Sequence, residues 1–299
     1  MKSELTSNLT PTLDFRSKKY IKAIYAKGYS NISNMTVEEV RQNFGCFEND
    51  SSFSNIKIDD KSYSYKIFKS PVKGNNLIIY LHGGAYVLRH DKHNNKICSE
   101  LSNKLNFNVL LLHYSLAPEN KFPTAINEVT KFIKNIDKIK NKFPDIKNIY
   151  ILGDSSGGNL AVSSLLNLKE FDVKGLILIS PSLDYCTKYE SKNYFGSCYL
   201  LDTHVRKWFA SCYLNNESER KNALISPILS SNLNILPRTL IINSYFDPMR
   251  DESILFNKLL KRNNVDSELH TLSTIHNFFH LQITPYFSDS IKLINDFLK

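Results

Sequence analysis

The sequence predicts an α/β fold: a mostly parallel central sheet, helices on both faces, and an inserted helical lid. Three observations carry the prediction. Short apolar runs recur at Leu77–Leu81, Val109–Tyr114, Ile149–Leu152, Leu176–Ile179 and Leu240–Ile242. They are rich in Ile, Leu and Val, as strands buried on both faces of a parallel sheet must be. Helical stretches lie between them, at about His93–Leu105, Ala125–Ile139, Gly158–Leu168 and Asp251–Asn263. Strands alternating with helices imply right-handed crossovers and helices on both sheet faces. One interval, from Ile179 to Leu240, breaks the alternation. It is too long for a simple crossover and holds Tyr185, Tyr189, Tyr194, Tyr199, Trp208 and Phe209. It reads as a lid over the carboxyl edge of the sheet.

The elements before the sheet follow in order. Residues 1 to about 50 are polar and carry two helix-like pieces. One spans about Phe15–Lys27. The second opens at Thr36, with Glu39 three residues later, ahead of Val40 and Phe44. That is a capping-box pattern. Ile56–Ile58 and Tyr63–Phe68 alternate as a strand pair. A further short strand is expected near Glu268–Leu272.

Composition excludes several classes. The chain has 299 residues, 42% hydrophobic and 22% charged, which is globular rather than disordered or fibrous. No apolar run approaches the roughly 18 residues of a membrane span. The net charge is +9, but the lysines are scattered, with Asp137 and Asp145 among Lys138, Lys140, Lys142 and Lys147. No basic block with interleaved aromatics appears, so no nucleic-acid partner is expected. The cysteines, Cys46, Cys98, Cys186, Cys198 and Cys212, are odd in number and form no CxxC pair. They make a poor disulfide framework and a poor zinc site. The opening Met-Lys-Ser-Glu lacks the apolar stretch of a secretory signal, and the closing Asp-Phe-Leu-Lys carries no lipidation or retention signal. A cytoplasmic protein is the expectation.

The sharpest chemical feature is Gly153-Asp154-Ser155-Ser156-Gly157-Gly158, between a strand and a helix. That is the context of a nucleophile elbow, G-x-S-x-G. The serine sits on a tight turn, and side chains two residues either side would collide with backbone. The turn also sets Ser155 at the positive end of a helix, which favours a developing anion. No lysine follows at the position an NTPase phosphate loop requires. The second feature is His82-Gly83-Gly84-Ala85-Tyr86, directly after the strand Leu77–Leu81. Such a loop supplies backbone N–H donors to an oxyanion hole, completed by the amide after the nucleophile, Ser156.

A serine nucleophile needs a base and an orienting acid, in the chain order Ser, Asp or Glu, His. Asp247 follows the strand Leu240–Ile242, and Pro248 fixes the next turn. Asp251 is its rival, expected within the following helix. His276 follows the last strand, with His280 as rival base four residues on. His276 and His280 have the spacing of a zinc pair on a helix. The glutamate of H-E-x-x-H is missing and no third ligand is evident, so no metal is expected. His90, His93, His113 and His204 read as structural or surface residues, and His270 lies in a strand.

Together these residues resemble the hormone-sensitive-lipase-like branch of the α/β-hydrolases, the arylacetamide-deacetylase-type esterases. The resemblance rests on His82-Gly83-Gly84, Gly153 to Ala161, Asp247-Pro248-Met249-Arg250-Asp251-Glu252 and His276-Asn277-Phe278. Tyr114-Ser115-Leu116-Ala117-Pro118-Glu119 adds to it, as do Trp208-Phe209 and Ser226-Pro227. It spans about residues 75 to 285. It implies an α/β-hydrolase fold, with residues 1–50 as an N-terminal cap segment. Residues 51–299 would form the catalytic domain, with a cap insertion at about 185–225. Two departures stand out. Ala85 replaces the family's third glycine, and the added Cβ costs about 1–2 kcal/mol if the site needs positive φ. His113 and Ser115 replace an Asp and an Arg, which puts local rigidity in doubt.

The reading is a serine carboxylesterase for short- to medium-chain esters, acting through an acyl-enzyme. Ser155 is the nucleophile, His276 the base and Asp247 the orienting acid. Gly83, Gly84, Ala85 and Ser156 form the oxyanion hole. No cofactor is implied; the partner is a small-molecule ester, and a homodimer is left open. The rivals are an amidase or formamidase with the same triad, and a hydrolase-like small-molecule receptor. A receptor of this branch usually lacks a triad member.

Overall fold

A computed structural model describes residues 11–48 and 50–299. Residues 1–10 and Asn49, parts of the expected cap segment, lie outside the described residues, as does the Met-Lys-Ser-Glu opening. The sheet has eight strands: β1 (Ser54–Ile58), β2 (Lys61–Phe68), β3 (Asn76–Leu81), β4 (Asn108–Leu112), β5 (Asn148–Asp154), β6 (Gly175–Ile179), β7 (Thr239–Phe246) and β8 (Ser267–Ile275). Their order is β1-β2-β4-β3-β5-β6-β7-β8. β1–β2 and β2–β4 are antiparallel, and every other pair is parallel. The helices are α1 (Phe15–Ala26), α2 (Val37–Phe44), α3 (Asp91–Leu105), α4 (Thr124–Lys134), α5 (Asp137–Lys142), α6 (Ser156–Leu166), α7 (Glu190–Tyr194), α8 (Thr203–Tyr213), α9 (Arg250–Arg262) and α10 (Tyr286–Phe297).

The continuous apolar runs have the cause inferred for them. Within β3, Leu77, Ile79 and Leu81 join one core, with Val129 and Phe132 of α4 and Leu160 of α6. Ile78 and Tyr80 point the other way, into a second core with Ile97 and Leu101 of α3 and Ile294 of α10. Both faces are covered, so no polar alternation is possible. The capping box at α2 is formed: Thr36 Oγ1 accepts from the Glu39 amide, and Glu39 accepts from the Thr36 amide at 2.7 Å.

Three elements depart from the expectation. The helix expected over Ala125–Ile139 divides into α4 and α5 around Asn135. There the Asn135 side chain donates to the Lys131 carbonyl at 2.9 Å, competing with helix continuation. β7 runs on to Phe246, past Ile242. Its added Asn243 and Ser244 are buried but bonded, Ser244 Oγ to the Ile275 carbonyl and Asn243 Nδ2 to the Arg250 carbonyl. α10 was not anticipated, although Phe287, Ile291, Ile294 and Phe297 bury one face of it.

The N-terminal helices dock beside the 190–213 segment and the loop after β3. Tyr25 donates to Asp202 at 2.6 Å, and His204 Nε2 donates to the Ser30 carbonyl at 2.7 Å. Arg41 of α2 forks onto Glu119 at 2.6 and 2.8 Å and donates to the carbonyls of Val87 and Ala117. The segment whose rigidity His113 and Ser115 put in doubt is thus held by other means. Glu128 accepts from the Ser115 amide at 2.8 Å, and buried Asp91 is paired with Arg89 and His113. Among the described residues, no helix is long and apolar enough to cross a membrane.

Candidate active site

β5 ends at Asp154 and α6 begins at Ser156, so Ser155 is the turn itself. Its backbone sits at φ 54°, ψ −115°, a strained conformation for a residue with a Cβ. The turn is tight because Gly157 lies against the Leu81 and His82 carbonyls, with no room for a side chain. The Ser155 amide donates to the Ile179 carbonyl at 2.9 Å, tying the elbow to β6.

The other two predicted residues reach Ser155 from later strands. Asp247 follows β7, and His276 follows β8. His276 Nδ1 lies 2.7 Å from Asp247 Oδ2, and His276 Nε2 lies 2.9 Å from Ser155 Oγ. A carboxylate only accepts, so Nδ1 carries the proton and Nε2 is left to accept from the serine hydroxyl. The second Asp247 oxygen accepts from the Met249 amide at 2.8 Å, which fixes the carboxylate plane. Asp247 and His276 are both buried. The rival acid, Asp251, is engaged elsewhere, with Arg250 at 2.9 Å and the Ser191 amide at 2.8 Å. The rival base, His280, does not touch the serine hydroxyl. It packs against His90 and His93, with ring centroids 4.6 and 4.8 Å away.

The loop after β3 folds under the serine. Gly84 takes φ 123°, and its carbonyl accepts from the Leu88 amide at 2.8 Å. Ala85 takes φ 52°, so the site does need positive φ and the substitution carries its strain of about 1–2 kcal/mol. The Ala85→Gly variant is expected to gain about 0.5–1 kcal/mol, part of that strain being offset by glycine's freedom in the unfolded chain. Urea unfolding of the two proteins measures it; a loss of stability would show that the Ala85 methyl contributes packing worth more than the strain. Among the described residues, the amides of Gly84, Ala85 and Ser156 donate to no protein acceptor. They remain available to an anion beside Ser155.

His82, Tyr114 and Asp154 stand in the motifs above and take roles that only the structure shows. His82 is buried and its Nδ1 donates to the Gly83 carbonyl at 2.7 Å. The peptide plane is rigid, so holding that carbonyl aims the Gly84 N–H the opposite way. Tyr114 stacks on the His82 ring at 4.4 Å and donates to the His82 carbonyl at 2.7 Å. Burial drives the His82 pKa down to about 3, so the ring stays neutral and its tautomer stays fixed. Asn159 spans two segments, donating to the carbonyls of Ser182 at 2.8 Å and Ile225 at 2.9 Å. Buried Glu252 accepts from the Leu183 amide and pairs with Lys192 at 2.8 Å, which fixes α7 to α9. These partners are distant in sequence, and only the position of each residue inside a motif hinted at a role.

Electrostatics sets the protonation of His276. Burial alone pulls the His276 pKa down. The Asp247 carboxylate, by charge and by hydrogen bond, acts with the charges of Asp154 and Glu252 to more than reverse this, and the pKa stands above its ordinary value. Asp154, beside Ser155, is fully buried. Burial pushes its carboxyl up to about 7, with His276 opposing and Asp247 adding to the shift.

A cavity of about 910 Å³ opens from Ser155, Ser156 and Ala85. Trp208, Phe209 and Met249 give it apolar wall, and Tyr86 stacks on Tyr213 at 3.7 Å beside it. Its lining also carries Lys188, Lys192, Arg206, Lys207 and Arg220. The lining therefore joins an apolar wall to a cationic one.

The α/β-hydrolase-fold family profile matches residues 78–280, from β3 to the turn beyond His276. A protein of Acanthamoeba polyphaga mimivirus named as an α/β hydrolase is 29% identical over 284 residues, covering 88% of this chain and 80% of that one. An arylesterase of Saccharolobus solfataricus is 29% identical over 203 residues, covering 66% of each. Among solved structures, an esterase of Rhizomucor miehei superposes with a TM-score of 0.85 at 26% identity, covering 97% of this chain and 98% of that one. With more than half of its length matched, the chain belongs to the α/β-hydrolase family, in its hormone-sensitive-lipase-like carboxylesterase branch.

Proposed function

We propose that the chain is a serine carboxylesterase in which Ser155, His276 and Asp247 act as the triad. The observation that carries this is the continuous relay Ser155 Oγ to His276 Nε2 at 2.9 Å and His276 Nδ1 to Asp247 at 2.7 Å. Ser155 Oγ attacks the ester carbonyl while His276 takes its proton. The developing oxyanion is held by the amides of Gly84, Ala85 and Ser156, with Gly83 shaping the loop. His276 then returns the proton to the leaving alcohol. Water repeats the cycle on the acyl-enzyme and frees the acid. Asp247 holds the imidazole tautomer throughout and balances the imidazolium.

The cap reading goes with it. Residues 1–50 and 185–225 would together form the roof of the substrate cavity. The Tyr25–Asp202 and His204–Ser30 bonds support a joint unit. We assign soluble esters of about two to eight acyl carbons as substrates, each added methylene gaining at most about 0.8 kcal/mol until the wall is met. The five cysteines are free, which suits a reducing cytoplasm. A panel of nitrophenyl esters from acetate to palmitate, beside matching anilides, tests the reading. Expected is a rise of kcat/KM to a maximum within that range, with the anilides slower. Preference for palmitate with activation by emulsified lipid would make the protein a lipase, and preference for anilides an amidase.

A further inference from the structure

We propose that His90, His93 and His280 form a transition-metal site of the zinc class, separate from the triad and independent of its assignment. The fold assembles it from two places. His90 precedes α3 and His93 lies in that helix's first turn, while His280 lies in the turn that follows β8 and His276. One ring nitrogen from each residue lies within 4.8 Å of the other two. A tetrahedral zinc ion bound at about 2.0–2.1 Å per nitrogen needs each ring to close in by up to roughly 0.8–0.9 Å. His93 is exposed, so a small torsion of its side chain supplies part of that movement.

The chemistry of the set selects the ligand. Three imidazoles, with no thiolate or carboxylate in the set, suit Zn²⁺, Co²⁺, Ni²⁺ or Cu²⁺ rather than Mg²⁺ or Ca²⁺. Imidazole is largely neutral at pH 7.5, so its lone pairs are free for a cation. The neighbouring carboxylate, Asp91, is already taken by Arg89, His113 and the Glu48 amide. A fourth position would then fall to water, as in three-histidine zinc sites.

An independent observation points to a missing ligand. His280 is buried, and its Nε2 has no hydrogen-bond partner. Buried ring nitrogens are normally satisfied, and aromatic packing alone would not require three imidazoles with converging nitrogens. His90 and His280 also line a small cavity of about 50 Å³ together with Ser155 and His276. A bound ion would pin the turn that carries His276 to the start of α3, so metal binding should be linked to thermal stability. His90 and His280 lie far apart in the chain, and only the fold joins them.

The test uses tag-free, chelator-stripped full-length protein. Expected are one saturable Zn²⁺ site by calorimetry, a tetrahedral visible absorption band with Co²⁺, and a Tm that rises with added Zn²⁺. His93→Ala, at an exposed position, should keep the metal-free Tm, lose at least 100-fold in Zn²⁺ affinity and abolish the Tm response. His90→Asn provides a second variant with the same expected loss. Absence of saturable binding by the wild type overturns the proposal. So does binding that survives in both variants, which would trace the metal to other donors such as the exposed Cys186 and Cys198.

Discussion

Ser155→Ala is expected to reduce kcat for a nitrophenyl ester by roughly 10⁴–10⁶. In the proposed mechanism the serine oxygen forms the bond to the acyl carbon, so no neighbouring group can substitute for it. His276 would retain its bond to Asp247 but would have no hydroxyl to deprotonate. KM should change little, because the cavity walls and the oxyanion amides are untouched. The fold should hold as well. The tie between the elbow and β6 is a backbone bond, from the Ser155 amide to Ile179, and alanine keeps it. Alanine also keeps a Cβ at φ 54°, so the strain of the turn is the same in both proteins. Circular dichroism and Tm check the fold, and stopped-flow or steady-state assays check the rate. A fluorophosphonate should label Ser155 and no other residue. Labelling at Ser156, whose hydroxyl is buried, or a variant retaining more than about one-hundredth of the rate, would sink the nucleophile assignment.

What could be read from the sequence divides along a physical line. Features set by local geometry were legible. The elbow needs glycine where Leu81 and His82 press on it, and strands covered on both faces must be apolar throughout. Each of those demands leaves a mark at fixed spacing. The order of Ser155, Asp247 and His276 was legible too, because each sits at the carboxyl end of a strand. Features set by long-range packing were not. The extension of β7 runs through Asn243 and Ser244, whose partners, Arg250 and Ile275, are found only when β7 and β8 pair. The break between α4 and α5 depends on a single side chain, Asn135, turning back on its own helix. The cationic lining of the cavity gathers Lys188 from a loop, Arg206 from α8 and Arg220 from a later turn, and in the sequence these look like ordinary solvated charges. α10 is the exception. Its apolar spacing, Phe287, Ile291 and Ile294, marks a helical face in the sequence itself.

His276→Ala should approach the serine variant in severity, with kcat down by roughly 10⁴–10⁶, and Asp247→Asn should cost about 10⁴. The two losses have different causes. Alanine removes the base; asparagine leaves the base in place but no longer enforces the tautomer that presents Nε2 as acceptor. His280→Ala should cost far less than His276→Ala, and the reverse order would reassign the base. The pH dependence separates the roles further. His276 must be neutral to accept a proton, so kcat/KM should rise with pH and level off once the imidazole is deprotonated. Burial lowers its pKa, and Asp247, Asp154 and Glu252 together outweigh burial, so the midpoint should lie above the ordinary 6.5. The charge of Asp154 also favours the imidazolium, and its own carboxyl titrates at about 7. The two groups are therefore coupled, and the observed midpoint belongs to the pair. Asp154→Asn should shift that midpoint to lower pH while retaining activity, because one of the charges holding the proton on His276 is gone. Stability should follow the same sign. A histidine whose folded pKa is raised stabilises the fold below about 6.5 and loses that contribution as pH rises through its folded value. Asp247→Asn should therefore flatten the fall in Tm across that window. An unshifted midpoint in Asp154→Asn, measured with residual activity sufficient for a full profile, would mean that Asp154 is screened from the imidazole and that Asp247 alone sets the base.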